Sequence, residues 1–204
     1  MSLIDSLMYD LKVIVGLIAS LLVFVGYVPY IRDTIKGKTK PHIYSWFIWG
    51  FVTLLVFFFQ FNAGAGAGSW LTLSAGLVCL LIFGLSFWHG IRNITRLDTV
   101  FLILALAALG LYIITKQPLI SVILLVAIDM LGFIPTIRKS WNKPYTETLF
   151  SYSLNTFRFA IGIYALETYT IVTYLYPVAW LFANGLFSVL LIVRRSSLER
   201  KVDD

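Results

Sequence analysis

Apolar residues in this chain fall in long runs, broken by short polar, basic or glycine-rich segments. A run of roughly 17 to 25 residues without paired charges is what a helix needs to cross a bilayer. Seven such spans are predicted, at about 12–31, 43–62, 70–89, 99–115, 119–137, 148–166 and 169–193. The first run is preceded by Asp5 and Asp10 rather than by a basic region, and no small-residue cleavage site follows it. It therefore reads as a retained helix and not as a signal peptide. An odd number of spans places the termini on opposite sides.

Composition supports a membrane class: of 204 residues, 59% are hydrophobic and 13% charged, more apolar surface than one soluble core of this size can hide. The basic residues then set the orientation. One side carries Arg32, Lys36, Lys38, Lys40, Arg92, Arg96, Arg138, Lys139, Lys143, Arg194, Arg195, Arg200 and Lys201, whereas the other carries Lys12 and Lys116. The positive-inside rule puts the C-terminus in the cytoplasm and the N-terminus outside, with the plasma (inner) membrane as the expected location. The net charge of +6 calls for no nucleic acid, because the basic residues stand at span ends, where anionic headgroups lie.

The chain also repeats itself. VGYVPYIRDTIKGKTKPHIYSW (25–46) aligns without a gap on LGFIPTIRKSWNKPYTETLFSY (131–152), 106 positions later. Gly26 meets Gly132, Pro29 meets Pro135, Arg32 meets Arg138 and Ser45 meets Ser151; Tyr27 meets Phe133 and Trp46 meets Tyr152. A weaker echo sets Ala75–Leu77 on Asn184–Leu186. The expected fold is all-α, with seven transmembrane helices forming two parallel three-helix repeats joined by a linker helix (3+1+3). The divisions are 1–97 for the first repeat, 98–117 for the linker, 118–193 for the second repeat and 194–204 for a cytoplasmic tail.

With its doubled proline motif, basic loop and helix opening near Ser45 and Ser151, the chain resembles the PQ-loop superfamily, which includes the SWEET and SemiSWEET sugar transporters and the lysosomal cystine carrier type. Tyr30 and Thr136 replace the glutamine of the Pro-Gln pair. Asn184-Gly185-Leu186 is similar to the segment of a SWEET repeat whose asparagine lines the substrate site, and Ala75 holds that place in the first repeat. The resemblance implies a carrier without an enzymatic activity, moving a small polar solute, most often a sugar, by alternating access. It also implies that Pro29 and Pro135 act as hinges, while proline chemistry alone equally allows simple helix ends. WFIW at 46–49 is similar to an element of the PnuC vitamin transporters, which carry nicotinamide riboside. A proton-coupled amino-acid carrier is a further alternative. From another class, the KDEL receptor type has the same arrangement of helices and binds a peptide carboxylate; a structural protein without a ligand also stays open.

Charge within a span is expensive, roughly 2.5 to 3.5 kcal/mol for one Asp or Arg, and two such residues stand out. Asp129 precedes Arg138 by nine residues, about 13 Å along a helix, and Arg158 follows Glu147 by eleven, about 16 Å. Their depths match, and the first repeat has Val23 and Val52 at both equivalent places. They are expected to form either a structural ion pair or a working pair in which Asp129 carries a coupling proton or Arg158 holds an anionic group. Ser151, Asn155 and Arg158 share one helix face, as do Trp180 and Asn184. With Trp49, the residues Asn155, Arg158, Trp180 and Asn184 are the candidate substrate contacts. Serine and asparagine as helix glue, and tryptophan as filler, are the structural alternative, preferred for Trp70, Trp88 and Trp141.

Other chemistry is sparse. Cys79 is the chain's one cysteine, which excludes an intrachain disulfide and a cysteine metal cluster. His42 and His89 read as interface residues, so neither a metal nor a cofactor is expected. The AGAGAGS segment, 63–69, lacks the Lys-Ser/Thr of a phosphate loop and reads as a flexible connection. The Asn93-Ile94-Thr95 sequon falls in a loop assigned to the cytoplasm and is expected to be unused. The expected partners are a small polar solute and the bilayer, and homo-oligomerisation is left open.

Overall fold

The computed structural model describes residues 3–37, 40–90, 96–142 and 144–203. Lys38, Arg92, Lys143 and the 93–95 sequon lie outside the described residues. The helices are α1 (Leu3–Ile35), α2 (Ile43–Asn62), α3 (Trp70–His89), α4 (Arg96–Thr115), α5 (Pro118–Asn142), α6 (Leu149–Tyr164) and α7 (Ile171–Asp203). Short 3₁₀ turns occupy Gly66–Ser69 and Pro144–Thr146, and no strand occurs among the described residues. Among the described residues, five segments are long and apolar enough to cross a membrane: Ile4–Ile35, Ile43–Asn62, Gly66–His89, Pro118–Asn142 and Ile171–Ser197. Within α4 the apolar stretch Thr99–Thr115 is shorter, and α6, with 16 residues, carries Arg158 near its middle. This is an all-helical protein of membrane type.

The local chemistry explains the boundaries. Pro41 bars a helix just before it, and His42 opens α2: its imidazole accepts from the Ser45 backbone N–H at 3.3 Å, satisfying one of the first-turn donors. Thr148 stands at the start of α6, likewise with extended backbone and 106 positions later. α1 and α7 are each 33 residues long, about 50 Å at the helical rise and more than the roughly 30 Å of hydrocarbon; they outrun the expected spans. α6 is shorter than expected because Ala165 and Leu166 leave the helix to pack, fully buried, in a turn. Pro29 lies inside α1, and α5 runs unbroken through position 135. Neither position ends its helix, so the helix-end alternative fails.

Packing follows one rule twice. α3 lies against both α1 and α2, and α7 against both α5 and α6, while α1 and α2, like α5 and α6, scarcely touch along their backbones. The two groups of three meet along α1 and α6 and, less extensively, along α2 and α5, with α2–α7 and α3–α6 beside them. α4 packs on α5 and touches α2. Val23, Val52, Val56, Phe59, Ile82, Val122 and Leu125 fill the core, while Leu21, Leu81, Ile114, Leu124 and Leu186 point outward, as lipid-facing side chains do.

At the end remote from the basic loops the two groups are locked together. An added Cβ on Gly68 would stand 2.7 Å from the Leu166 nitrogen across the boundary, while inside the first group one on Gly16 of α1 would stand 2.6 Å from the Ala67 carbonyl oxygen. Lys12 Nζ donates to the Leu166 carbonyl at 2.6 Å and buried Gln60 Nε2 to the Thr173 carbonyl at 2.8 Å. Glu167 donates its backbone N–H to the Ala65 carbonyl at 3.1 Å, and its carboxylate accepts from Ala67 N–H at 3.2 Å. Burial, with Tyr164 nearby, holds the Tyr169 hydroxyl above its ordinary range. It donates to the Ile163 and Tyr164 carbonyls at 3.0 and 3.2 Å.

The glycine-alanine segment is therefore no flexible linker. Ala65, Ala67, Gly68 and Ser69 are buried, with positive φ at Gly64 and Gly66, and Ser69 Oγ closes the turn onto the Gly66 carbonyl at 2.7 Å. Its small residues serve close approach between helices, as in membrane interfaces generally. Gly68→Ala should accordingly lower stability by roughly 1 to 3 kcal/mol through overpacking, whereas Gly84→Ala, with open space around its Cβ position, should be neutral or stabilise by about 0.5 to 1 kcal/mol. Thermal unfolding in one detergent reads both; equal effects would contradict the packed seal.

Candidate functional site

Between the two groups, at the end opposite the seal, lies a cavity of about 480 Å³, within the range of small-ligand sites. Its mouth is bordered by His42 and Thr148, the residues that open α2 and α6, with Glu147 beside them. From there it descends to Thr53, Cys79, Asp129, Arg158 and Tyr176 at mid-helix depth. Gln60, Lys12 and Glu167 lie beyond that floor, in the seal.

Residues 106 apart make up most of the wall. Seven pairs line it together: Tyr27 with Phe133, Tyr30 with Thr136, His42 with Thr148, Ser45 with Ser151, Trp46 with Tyr152, Trp49 with Asn155, and Thr53 with Phe159. Ala75 and Asn184, the weaker sequence echo, also line it. Even a side-chain contact recurs: the Tyr27 and Trp46 rings are 6.1 Å apart, and so are those of Phe133 and Tyr152.

Every candidate substrate contact read from the sequence reaches this space: Trp49, Asn155, Arg158, Trp180 and Asn184, along with Asp129. Asn155 Nδ2 donates to Asn184 Oδ1 at 3.2 Å, and Asn184 Nδ2 donates to the Trp180 carbonyl at 2.7 Å. The two amides are thereby fixed relative to one another across α6 and α7, leaving the Asn155 carbonyl oxygen as an acceptor toward the cavity. Pro29 is absent from the lining.

The expected ion pair is not there. Asp129 and Arg158 are each 3% exposed, and no salt bridge joins them. Asp129 Oδ1 and both Nε and Nη1 of Arg158 lack any hydrogen-bond partner. Matching depth along two helices does not by itself bring two side chains into contact. Trp180 and Tyr176 turn toward Asp129 as donors, but Trp180 Nε1 stops short of a bond. Arg158 instead lies near two aromatic rings, its Cζ 5.7 Å from the Tyr27 centroid and 5.2 Å from that of Phe159, contacts that stabilise a guanidinium without quenching its charge.

The sequence reading missed the aromatic wall: Tyr27, Tyr30, Trp46, Tyr152 and Tyr176 all line the cavity. Trp46 lies tilted by 52° against Tyr30, with ring centroids 5.0 Å apart, and edge-on at 5.4 Å against Trp49, and its Nε1 donates to the Tyr30 hydroxyl at 3.2 Å. The available signal was the 106-residue register, because three of these positions had matched in the repeat. No cluster of three metal-binding side chains occurs among the described residues.

This geometry predicts who meets water. In a Cys79→Ala background, Thr148→Cys and Asn155→Cys should react with a hydrophilic thiol reagent at least about tenfold faster than Ala67→Cys in the seal. Comparable rates at Ala67 and Asn155 would contradict a cavity open at one end.

Comparison with protein-family models, with curated proteins and with solved structures returns no match to this chain.

Proposed function

We propose that the protein is a membrane carrier for a small polar solute, working by alternating access between two parallel three-helix repeats, α1–α3 and α5–α7, joined by α4. The observation that carries this reading is the cavity between the groups, lined by positions 106 apart and closed at one end alone. A site at a repeat interface, at mid-membrane depth, is what rocking of one repeat against the other requires. A ligand-free structural role would be served by a packed centre, and the centre is hollow.

On this reading α6 and the 3₁₀ turn after α5 complete a seventh crossing, and the basic end faces the cytoplasm of the plasma membrane. The structure then stands for an inward-open state. Pro29 in α1 and Pro135 in α5 each remove one backbone hydrogen bond from a helix that continues beyond them, so each helix has a soft place at the same point of its repeat. The resemblance to the PQ-loop superfamily leads in the same direction and suggests a sugar-like solute, with vitamin or amino-acid carriage as alternatives; the wall chemistry bears on that choice below.

Two experiments test the cycle. In proteoliposomes, saturable uptake of a labelled small polar solute should be lost in the Asn155→Ala, Asn184→Ala double variant; its absence from a folded preparation for every class of polar solute would count against a carrier. A lock provides the sharper arm. A Cβ on Gly162 of α6 would stand 3.8 Å from that of Leu71 in α3, the mean separation in disulfides. Leu71→Cys, Gly162→Cys, in a chain lacking Cys79, should cross-link on oxidation and lose at least about tenfold in uptake, recovering on reduction. Undiminished uptake by the locked protein would contradict opening at this seal.

A further inference from the structure

We propose that the solute is a zwitterion: a small molecule bearing an ammonium group for Asp129, a carboxylate or equivalent anion for Arg158, and an apolar or aromatic body between them. This rests on the carrier reading of the same cavity and names its substrate class.

The observations are an acidic and a basic side chain in one space, each with buried atoms that lack a hydrogen-bond partner: Oδ1 of Asp129, and Nε and Nη1 of Arg158. Asp129 and Arg158 line the same cavity, each almost wholly buried, each with side-chain atoms lacking a partner, and not bonded to one another. Leaving a charge buried and uncompensated is among the costliest arrangements in a protein, more so within a bilayer. If their role were to satisfy each other, they would be in contact. They form no salt bridge, and both line the same cavity. A ligand that bridges them supplies each with its counter-charge.

Other solute classes fit less well. A neutral polyol can hydrogen-bond to both groups but neutralises neither. A cation pairs with Asp129 and brings a second positive charge near Arg158, and an anion does the reverse. A zwitterion satisfies both and keeps the sum of charges deep in the cavity at zero, which is the least expensive cargo to carry through a low-dielectric centre. The rest of the wall suits its body: the rings of Trp46, Trp49, Phe133, Tyr152 and Trp180 supply apolar faces. The cavity's size, equal to on the order of fifteen waters, admits an amino-acid-sized molecule with a ring.

The chemistry also explains the asymmetry between repeats. At the positions equivalent to Asp129 and Arg158 the first repeat has Val23 and Val52, both fully buried in the core. A symmetric ligand would be served by symmetric walls, whereas one with two unlike ends needs its two contacts placed unequally.

The test holds the body constant and varies the charge. Binding to the purified full chain in detergent is followed by its intrinsic tryptophan fluorescence, to which the wall residues Trp46, Trp49 and Trp180 respond. The probes are phenylalanine (both charges), phenethylamine (cation alone), 3-phenylpropionate (anion alone) and glucose. Phenylalanine should bind at least about tenfold more tightly than each of the other three. In Asp129→Asn its advantage over 3-phenylpropionate should vanish, and in Arg158→Gln its advantage over phenethylamine should vanish. The wild-type series decides the matter even if a variant does not fold. Tightest binding of glucose or of a singly charged probe, or binding of none of the four by a folded preparation, would overturn the inference. Uptake into proteoliposomes separates the two levels. Phenylalanine binding without uptake would leave the zwitterion site standing and remove the carrier; glucose uptake would keep the carrier and remove the zwitterion.

Discussion

Everything in this structure depends on how closely the two helix groups can approach at one end. Where Gly68 replaces a larger side chain, its backbone meets that of Leu166, and Lys12, Gln60 and Glu167 can bond directly to carbonyls and N–H groups across the boundary. In hydrocarbon, where apolar burial gives little drive for helices to associate, such close packing and such bonds are what hold them. At the other end the facing residues are Tyr27, Tyr30, Trp46, Phe133 and Tyr152, too large for the same approach, and the groups stand apart around a cavity. Small residues at one end and rings at the other thus produce a closed side and an open side from one pair of surfaces.

The repeat relationship supplies the frame, and its exceptions supply the chemistry. Tyr27–Trp46 and Phe133–Tyr152 keep the same ring separation, at different tilts of 76° and 43°. Trp49 against Asn155, Val52 against Arg158, and Val23 against Asp129 break the correspondence, each time with the polar member in the second repeat. The proposed division of labour is that both repeats shape the space and the second one reads the solute.

How much of this could be read in the sequence depends on how rare each signal is in its setting. Asp129, Arg158, Asn155 and Asn184 were legible because a polar side chain in an apolar run is costly and calls for a reason. The helix positions were legible for the same cause: hydrocarbon leaves the backbone few options but a helix. Tyr27, Tyr30 and Tyr176 were not, because an aromatic side chain in a membrane helix serves lipid, interface and cavity equally well and only the third dimension separates them. The ion pair misled because rise per residue fixes depth but not the distance across a cavity. The 63–69 segment misled because glycine permits both mobility and close contact, and its sequence carries no mark of Glu167 and Leu166 packing on it from 100 residues away.

The central claim is that the closed and open ends exchange. Paired spin labels test it most directly in the protein reconstituted into lipid. One pair spans the sealed end, at exposed Asn62 and Thr170; the other spans the basic end, at exposed Lys36 and Asn142. The account predicts two populations whose proportions shift when solute is added, the first distance lengthening in the population in which the second shortens. Two fixed distances under every condition, or two that lengthen and shorten together, would contradict it.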